Sequence, residues 1–244
     1  MNPRLTLATA ARILTQIRHD HRTVALLLVV PSLLIGLLAW IFSDTLVFDT
    51  AGPAMLGLFP FTVMFLVTSI ATLRERRSGT LERLMTMPIG RIDFVAGYTL
   101  AFGLLAILQA LIAVGFAVWV CGLAVKGPVW LLVLVALADA LLGTTLGLLA
   151  SAFAHTEFQV VQFMPALVFP QILLGGIFLP RDQMPDVLTA VSDWLPLSHA
   201  IEALNTVSRE SDAAADAFGE LGIVLAFAAA AVTLGAFSLR RRTG

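Results

Sequence analysis

Six long runs of apolar residues, separated by short polar stretches, dominate the chain. They cover residues 24–42, 53–73, 94–121, 128–150, 158–179 and 221–239. As a helix, each run is long enough for the hydrocarbon core of a bilayer, which about 20 residues cross. The pattern therefore predicts six transmembrane helices. Four prolines inside the runs each remove a backbone donor, which predicts kinks at Pro31, Pro60, Pro165 and Pro170.

The first 23 residues have a different pattern, in which apolar residues recur at helical spacing and arginines fall elsewhere on the wheel. The apolar positions are Leu7, Ala10, Ala11, Leu14 and Ile17. This pattern predicts an interfacial helix that lies along the membrane surface, and a solvated arm is the alternative. We do not expect a signal peptide, because the next run is too long for one and no cleavage site follows it.

The polar loop at residues 74–93 lies between the second and third runs and carries five arginines. Within it, Ser78 can cap a short helix, Leu81 and Leu84 lie on one side of that helix, and Pro88 ends it. A short amphipathic helix between two spans is a poor binding site for a solute. It is well shaped for docking on a soluble partner.

The longest connection, residues 180–220, has eight acids and two arginines. Residues 184–192 and 198–208 both predict short helices, and Trp194 to Pro196 separate them. Gly175 and Gly176 mark the end of the fifth span. The apolar side chains of Val187 and Val191 are unusual for a solvated loop. We expect this segment to enter the outer leaflet or to cap the bundle.

The composition agrees with a membrane protein. Hydrophobic residues make up 59% of the chain, charged residues 13%, and the mean hydropathy is +0.93, whereas soluble domains are about 45–50% apolar and about 25% charged. Twelve of the fifteen basic residues lie before the first span, in the 74–93 loop, or after the last span. The positive-inside rule then places both termini and this loop in the cytoplasm. We expect one all-α domain over residues 1–244, embedded in a membrane.

Several classes of activity find no support in the sequence. The one lysine, Lys126, is followed by Gly127, so the chain lacks the phosphate-binding loop that needs lysine before serine or threonine. If ATP drives this protein, another polypeptide must bind it. The four histidines and Cys121 have no metal-ligand spacing, and no motif of a hydrolase or protease occurs. We expect neither a metal site, nor an enzyme, nor a nucleic-acid interface.

A few polar residues lie deep in the apolar runs. Asp139 lies near the middle of the fourth, where an ionised carboxylate costs at least ~2.5 kcal/mol on insertion scales. It is either a substrate or proton site, or a carboxyl satisfied by hydroxyls such as those of Thr144 and Thr145. Three glutamines could bind a polar part of a substrate or join helices to each other: Gln109, Gln162 and Gln171.

The spacing Gly143-x-x-x-Gly147 lies in the same fourth run as Asp139. Glycines at this spacing remove side chains from one stripe of a helix, which lets another helix approach closely. The motif therefore predicts a tight helix contact along this stripe.

Three stretches carry a resemblance to a known family. They are ERRSGTLE at 75–82 with Pro88 after it, PALVFPQILLGGIFLP at 165–180, and Met184-Pro185 followed by WLPLSHAIEA at 194–203. In these motifs and in their order and spacing, the chain resembles the membrane subunit of ABC-2 type exporters. That family includes bacterial permeases for drugs, polyketides and polysaccharides. The resemblance covers nearly the whole chain.

The resemblance implies a pathway formed by two membrane subunits, as a homodimer or with a related chain, above two separate ATPase subunits that bind ATP and magnesium. A coupling helix at 79–87 would dock on the ATPase, and the segment 184–208 would close the outer end. The implied coupling residues are Glu75, Arg76, Gly79, Thr80, Glu82, Arg83, Leu84 and Pro88. The implied substrate-pathway residues are Asp139, Gln109, Gln162, Gln171 and Phe169. The implied outer-gate residues are Gly175, Gly176, Phe178, Trp194 and Pro196.

The function implied is ATP-driven export of a hydrophobic drug, antibiotic or lipid by alternating access, across the plasma membrane of a bacterial cell. The alternative is an ion- or proton-coupled secondary carrier that uses Asp139 and needs no ATPase. A membrane-embedded enzyme is a third reading, but the chain lacks a clustered nucleophile, acid or metal set. A neighbouring reading frame with a phosphate-binding loop would favour the exporter over the carrier.

Overall fold

The computed structural model describes residues 3–43, 47–77, 91–179 and 181–238. These residues form helices and no strand, which confirms the all-α prediction. The α-helices are α1 Pro3–His19, α2 His21–Ile41, α3 Val47–Arg77, α4 Arg91–Gly115, α5 Val129–Phe153, α6 Glu157–Leu174, α7 Asp186–Ser192, α8 Pro196–Arg209 and α9 Ala214–Ser238. A π-helical turn at Phe116–Val120 continues α4, and a 3-10 turn at Arg181–Gln183 precedes α7.

Six of these helices are long and apolar enough to cross a membrane, which confirms the six runs. Three predicted boundaries were wrong by five residues or more. The second span begins at Val47 and not at residue 53. The fifth span ends at Leu174 because Gly176 adopts a left-handed conformation (φ +79°) that favours glycine and stops the helix. The last span begins at Ala214, seven residues before the apolar run, because the polar residues of its first turns still fit a helix. One of them, Glu220, pairs with His199 of α8.

Helices α3 and α5 form the centre of the bundle and are its most buried spans. They pack backbone to backbone. Gly143 of α5 lies against the backbone of Phe61, and Gly147 lies against that of Phe65. A step of four residues along α5, from Gly143 to Gly147, moves the contact four residues forward along α3, from Phe61 to Phe65. Helices α3 and α5 therefore run in the same direction. The close contact predicted from the glycine spacing is confirmed, and its partner is α3.

Helix α1 packs along α4 and is not a solvated arm. Of the apolar positions, Leu7 is 59% exposed and Ala11 is exposed too, whereas Ala10 and Ile17 are buried. The buried positions are Thr6, Thr9, Ala10, Ile13 and Ile17. Gly97 of α4 allows the close approach of α1, since a Cβ there would lie only 2.7 Å from Cβ of Thr9. The threonines therefore fill the closest approach, and the position of α1 at the membrane surface stays a prediction.

The two short helices expected before the last span are confirmed as α7 and α8. Pro196 occupies the first turn of α8, where its missing N–H costs no hydrogen bond. One face of α8 is buried against α3, α5 and α9. The side chains of Val187, Val191 and Trp194 are exposed, and their entry into the outer leaflet stays a prediction.

Candidate functional site

Three arginine contacts hold the last turn of α3. Arg12 of α1 donates to Glu75, and Arg76 donates to the carbonyl oxygen of Ser151 at the end of α5. The guanidinium group of Arg74 forms a bidentate pair with the carboxylate of Glu157 in α6. Nε donates to Oε1 at 2.8 Å, and Nη2 donates to Oε2 at 3.1 Å. Bidentate pairs of this kind fix geometry as well as charge. We call these three contacts the arginine brace; they tie the end of α3 to α1, α5 and α6.

The arginine brace contains two of the predicted ATPase-coupling residues, Glu75 and Arg76. Both contact other helices of the same chain. The remaining coupling residues lie outside the described residues: Gly79, Thr80, Glu82, Arg83, Leu84 and Pro88.

Asp139 is fully buried in the centre of the bundle. Its two carboxyl oxygens have no hydrogen-bond partner among the described residues. The suggestion that nearby hydroxyls satisfy it was wrong, because Thr144 donates to the carbonyl of Ala140 at 2.9 Å and Thr145 to that of Leu142 at 3.0 Å. Oδ2 faces Gly57 of α3, where a Cβ would make an ordinary van der Waals contact with it at 3.8 Å. The carboxyl is therefore enclosed inside one chain.

Two of the three deep glutamines join helices, as the alternative interpretation proposed. Gln109 of α4 donates from Nε2 to the carbonyl of Leu27 in α2 at 3.0 Å. Gln171 of α6 accepts from the backbone N–H of Leu197 in α8 at 3.0 Å. Gln162 and Phe169 are instead exposed on α6. The predicted pathway residues thus do not converge on one site within this chain.

The predicted outer-gate residues lie where α6, α7 and α8 meet. Gly175 ends α6, and a Cβ on it would lie 3.1 Å from Cδ1 of Ile201 in α8. Ser192 at the end of α7 donates to the carbonyl of Leu174 at 2.7 Å. Phe178 and Trp194 are more than 70% exposed, and Pro196 starts α8. These contacts attach both short helices to the end of the fifth span.

Sequence reasoning missed His199, which links α8 to the last span. Its Nδ1 contacts Glu220 of α9, and its Nε2 lies 2.9 Å from the carbonyl oxygen of Asp193, whose side chain accepts from Arg181. Because both ring nitrogens face acceptors, the doubly protonated ring satisfies both. The hydrogen bond to Glu220 raises the pKa of His199 despite its burial. A separation of 21 residues gives no periodic signal that could have revealed this pair.

The His199 contact predicts a pH-dependent stability. Since the folded pKa is raised, the stabilisation is fully present below the unfolded value of about 6.5 and is lost as pH rises through the folded pKa. We expect the thermal midpoint of the purified protein to fall over that window, and the fall to be smaller in His199→Gln. His155→Gln, in an exposed loop, is the matched control. An identical pH profile for wild type and His199→Gln would contradict the prediction.

Comparison with known proteins shows which family this chain belongs to. Residues 4–207 match the family model described as ABC-2 type transporter. The linearmycin resistance permease protein LnrN of Bacillus subtilis is 28% identical over 193 residues, which are 79% of this chain and 50% of that protein. The probable multidrug ABC transporter permease YbhS of Escherichia coli is 26% identical over 143 residues, 58% of this chain and 38% of that protein.

A third similar protein comes from a eukaryote. ABC transporter G family member 20 of Dictyostelium discoideum is 25% identical over 159 residues, which are 65% of this chain and 22% of that protein. The chain thus spans half or less of the length of these relatives.

Proposed function

Because the chain belongs to the ABC-2 type transporter family, we propose that it is the transmembrane permease subunit of an ATP-driven exporter. The observation that carries this proposal is the family match over residues 4–207, on a bundle with six candidate spans. Two relatives are named for linearmycin resistance and multidrug transport. By analogy, the cargo is a hydrophobic drug, antibiotic or lipid.

ATP and magnesium bind a separate ABC ATPase subunit in this proposal. Residues 74–93 dock on that subunit, and the arginine brace passes its motion from the end of α3 to α1, α5 and α6. The support is the set of contacts made by Arg12, Arg74 and Arg76, each of which crosses between helices. The docking side, and with it both termini, faces the cytoplasm of a bacterial cell.

A second membrane subunit completes the pathway, and we propose a homodimer. Helix α6 supports this, because it is the least buried of the candidate spans and exposes a large apolar surface. Phe163, Phe169 and Leu173 are between 36% and 63% exposed, and Gln162 is exposed on the same helix. A second copy would bury part of this surface and bring two sets of these side chains together.

Alternating access requires that the cargo and the ATPase contact two states of the bundle differently. Helices α7 and α8 are attached to α6 through Ser192 and Gln171. Movement of α6 would therefore carry the outer helices with it, which is how we propose that the outer end opens and closes.

The proposal is tested by co-purification with the product of the adjacent gene, followed by an ATPase assay in lipid with and without a panel of hydrophobic drugs. We expect a stable complex whose ATPase rate changes with at least one drug. A chain that purifies alone and associates with no protein that has a phosphate-binding loop would contradict it.

A secondary carrier remains the second candidate, since the buried carboxyl of Asp139 has no partner among the described residues. We expect ATP-driven export to persist in Asp139→Asn at more than about half the wild-type rate, because the carboxyl is enclosed between helices of one chain and asparagine keeps its shape. A tenfold loss of transport, together with loss of its pH dependence, would favour the carrier. The measurement is export from vesicles at several pH values, with Asp212→Asn in the exposed outer loop as the control.

A further inference from the structure

A cavity of about 400 Å³ lies between α1, α2 and α3, at the end of the bundle that carries the arginine brace. Ligand sites in proteins have volumes of about 300–1,000 Å³. One wall is apolar and is formed by Ile17 of α1, Leu26 of α2, and Leu66, Ile70 and Ala71 of α3. The cavity is therefore large enough for part of an amphipathic molecule.

The polar rim of the cavity carries charges of both signs, Asp20 and Arg74. Asp20 accepts two hydrogen bonds from Thr23, at 3.2 Å from N and 2.7 Å from Oγ1, and these lower its pKa. No ion pair involves Asp20 among the described residues. Arg74 uses Nε and Nη2 for Glu157. Nη1 of Arg74 has no hydrogen-bond acceptor among the residues that the structure describes.

We propose that this cavity binds one zwitterionic phospholipid, with its ammonium group at Asp20, its phosphate at Nη1 of Arg74 and an acyl chain along the apolar wall. The charges favour a zwitterion over an anionic lipid. Arg74 is already paired with Glu157, and Glu75, which also lines the cavity, is paired with Arg12. Asp20 is attracted by Arg74 but forms no ion pair with it. Its carboxylate would therefore repel an anionic headgroup, whereas an ammonium group would pair with it.

Asp20 also caps the N-terminus of α2, so the test must separate its charge from its capping. Asp20→Asn does this, because asparagine caps a helix about as well as aspartate and has no charge. Ala71→Trp fills the cavity from its apolar wall. Ala226→Trp is the matched control, since Ala226 is exposed on α9 and lies outside the cavity.

The experiment counts bound lipid by native mass spectrometry on the full chain, after titration with phosphatidylethanolamine or phosphatidylglycerol. We expect wild type to retain one phosphatidylethanolamine at least about fivefold more strongly than phosphatidylglycerol, the effect of a partly exposed ion pair. Asp20→Asn should lose this preference, and Ala71→Trp should lose the bound lipid. Ala226→Trp should match wild type.

Equal retention of the two lipids by wild type, or an unchanged preference in Asp20→Asn, would overturn the proposal. Retention of the lipid by Ala71→Trp at the wild-type level would overturn it as well. A thermal midpoint measured for each variant identifies any that has not folded, and Asp20→Asn still decides if Ala71→Trp is one of them. Lipid counting needs no ATPase, so its result is independent of the proposed export.

Discussion

Export is expected to stop when Gly79 is replaced by proline or Glu82 by arginine, while the permease still inserts at its normal level. Both residues lie in the predicted coupling segment. Proline fixes φ near −65°, so Gly79→Pro removes the conformational freedom of a glycine at the start of the short helix expected at 79–87. Arginine reverses the charge that we expect to meet the ATPase groove. A like-charge contact costs several kcal/mol, and about 1.4 kcal/mol is tenfold, so we expect less than about a tenth of wild-type export.

The measurement is drug efflux from cells that express the permease with its ATPase, normalised to the amount in the membrane. Glu210→Arg is the matched control, since it reverses one acid in an exposed loop beside α8. It should export like wild type. Wild-type efflux by both coupling variants at normal membrane level would contradict the coupling role and, with it, the proposed transfer of motion through the arginine brace.

The second large effect is expected when Gly143 and Gly147 are both replaced by alanine. A Cβ at Gly143 would overlap the carbonyl oxygen of Phe61 and lie 3.1 Å from its Cα. One at Gly147 would lie 3.2 Å from Cα of Phe65. These atoms belong to the backbone of α3 and cannot rotate away. Overpacking costs typically about 1–3 kcal/mol at each site, and 1 kcal/mol shifts the midpoint of a chain of this size by about 2–4 °C, so we expect the thermal midpoint to fall by at least about 4 °C.

The test compares thermal unfolding and monodisperse yield of the purified variants in the same detergent. A double replacement of Gly219 and Gly222 by alanine is the matched control. Both lie in α9, and an added Cβ at either meets no atom within 4 Å. Alanine is the better helix former, so this control should be as stable as wild type or slightly more stable. A midpoint within 2 °C of wild type for the Gly143 and Gly147 variant would show that α3 and α5 can separate without cost.

The sequence alone determined the fold class, the six spans, the two short outer helices and the family resemblance. These properties depend on signals that are local in the chain. A run of about 20 apolar residues predicts a span whatever its neighbours are, and Gly175-Gly176 or Pro196 marks a helix boundary through its own backbone preferences. The predicted helix boundaries were wrong by several residues where a polar first turn still fits a helix, as it does at Ala214 in α9.

Only the tertiary structure decided which faces meet. Nothing in the sequence indicated that Thr6 and Thr9 of α1 lie against Gly97 of α4, which is far away in sequence. The hydroxyls near Asp139 were suggested as its partners, yet they donate to backbone carbonyls one turn away. Residue spacing cannot distinguish these two hydrogen-bond partners.

The pairs that connect the helices also required the structure. The arginine brace joins residues 63 to 83 positions apart, and His199 meets Glu220 across two helices. Helical periodicity describes which residues share a face of one helix. It holds no information on which helix that face contacts, because that choice depends on the packing of all the spans together.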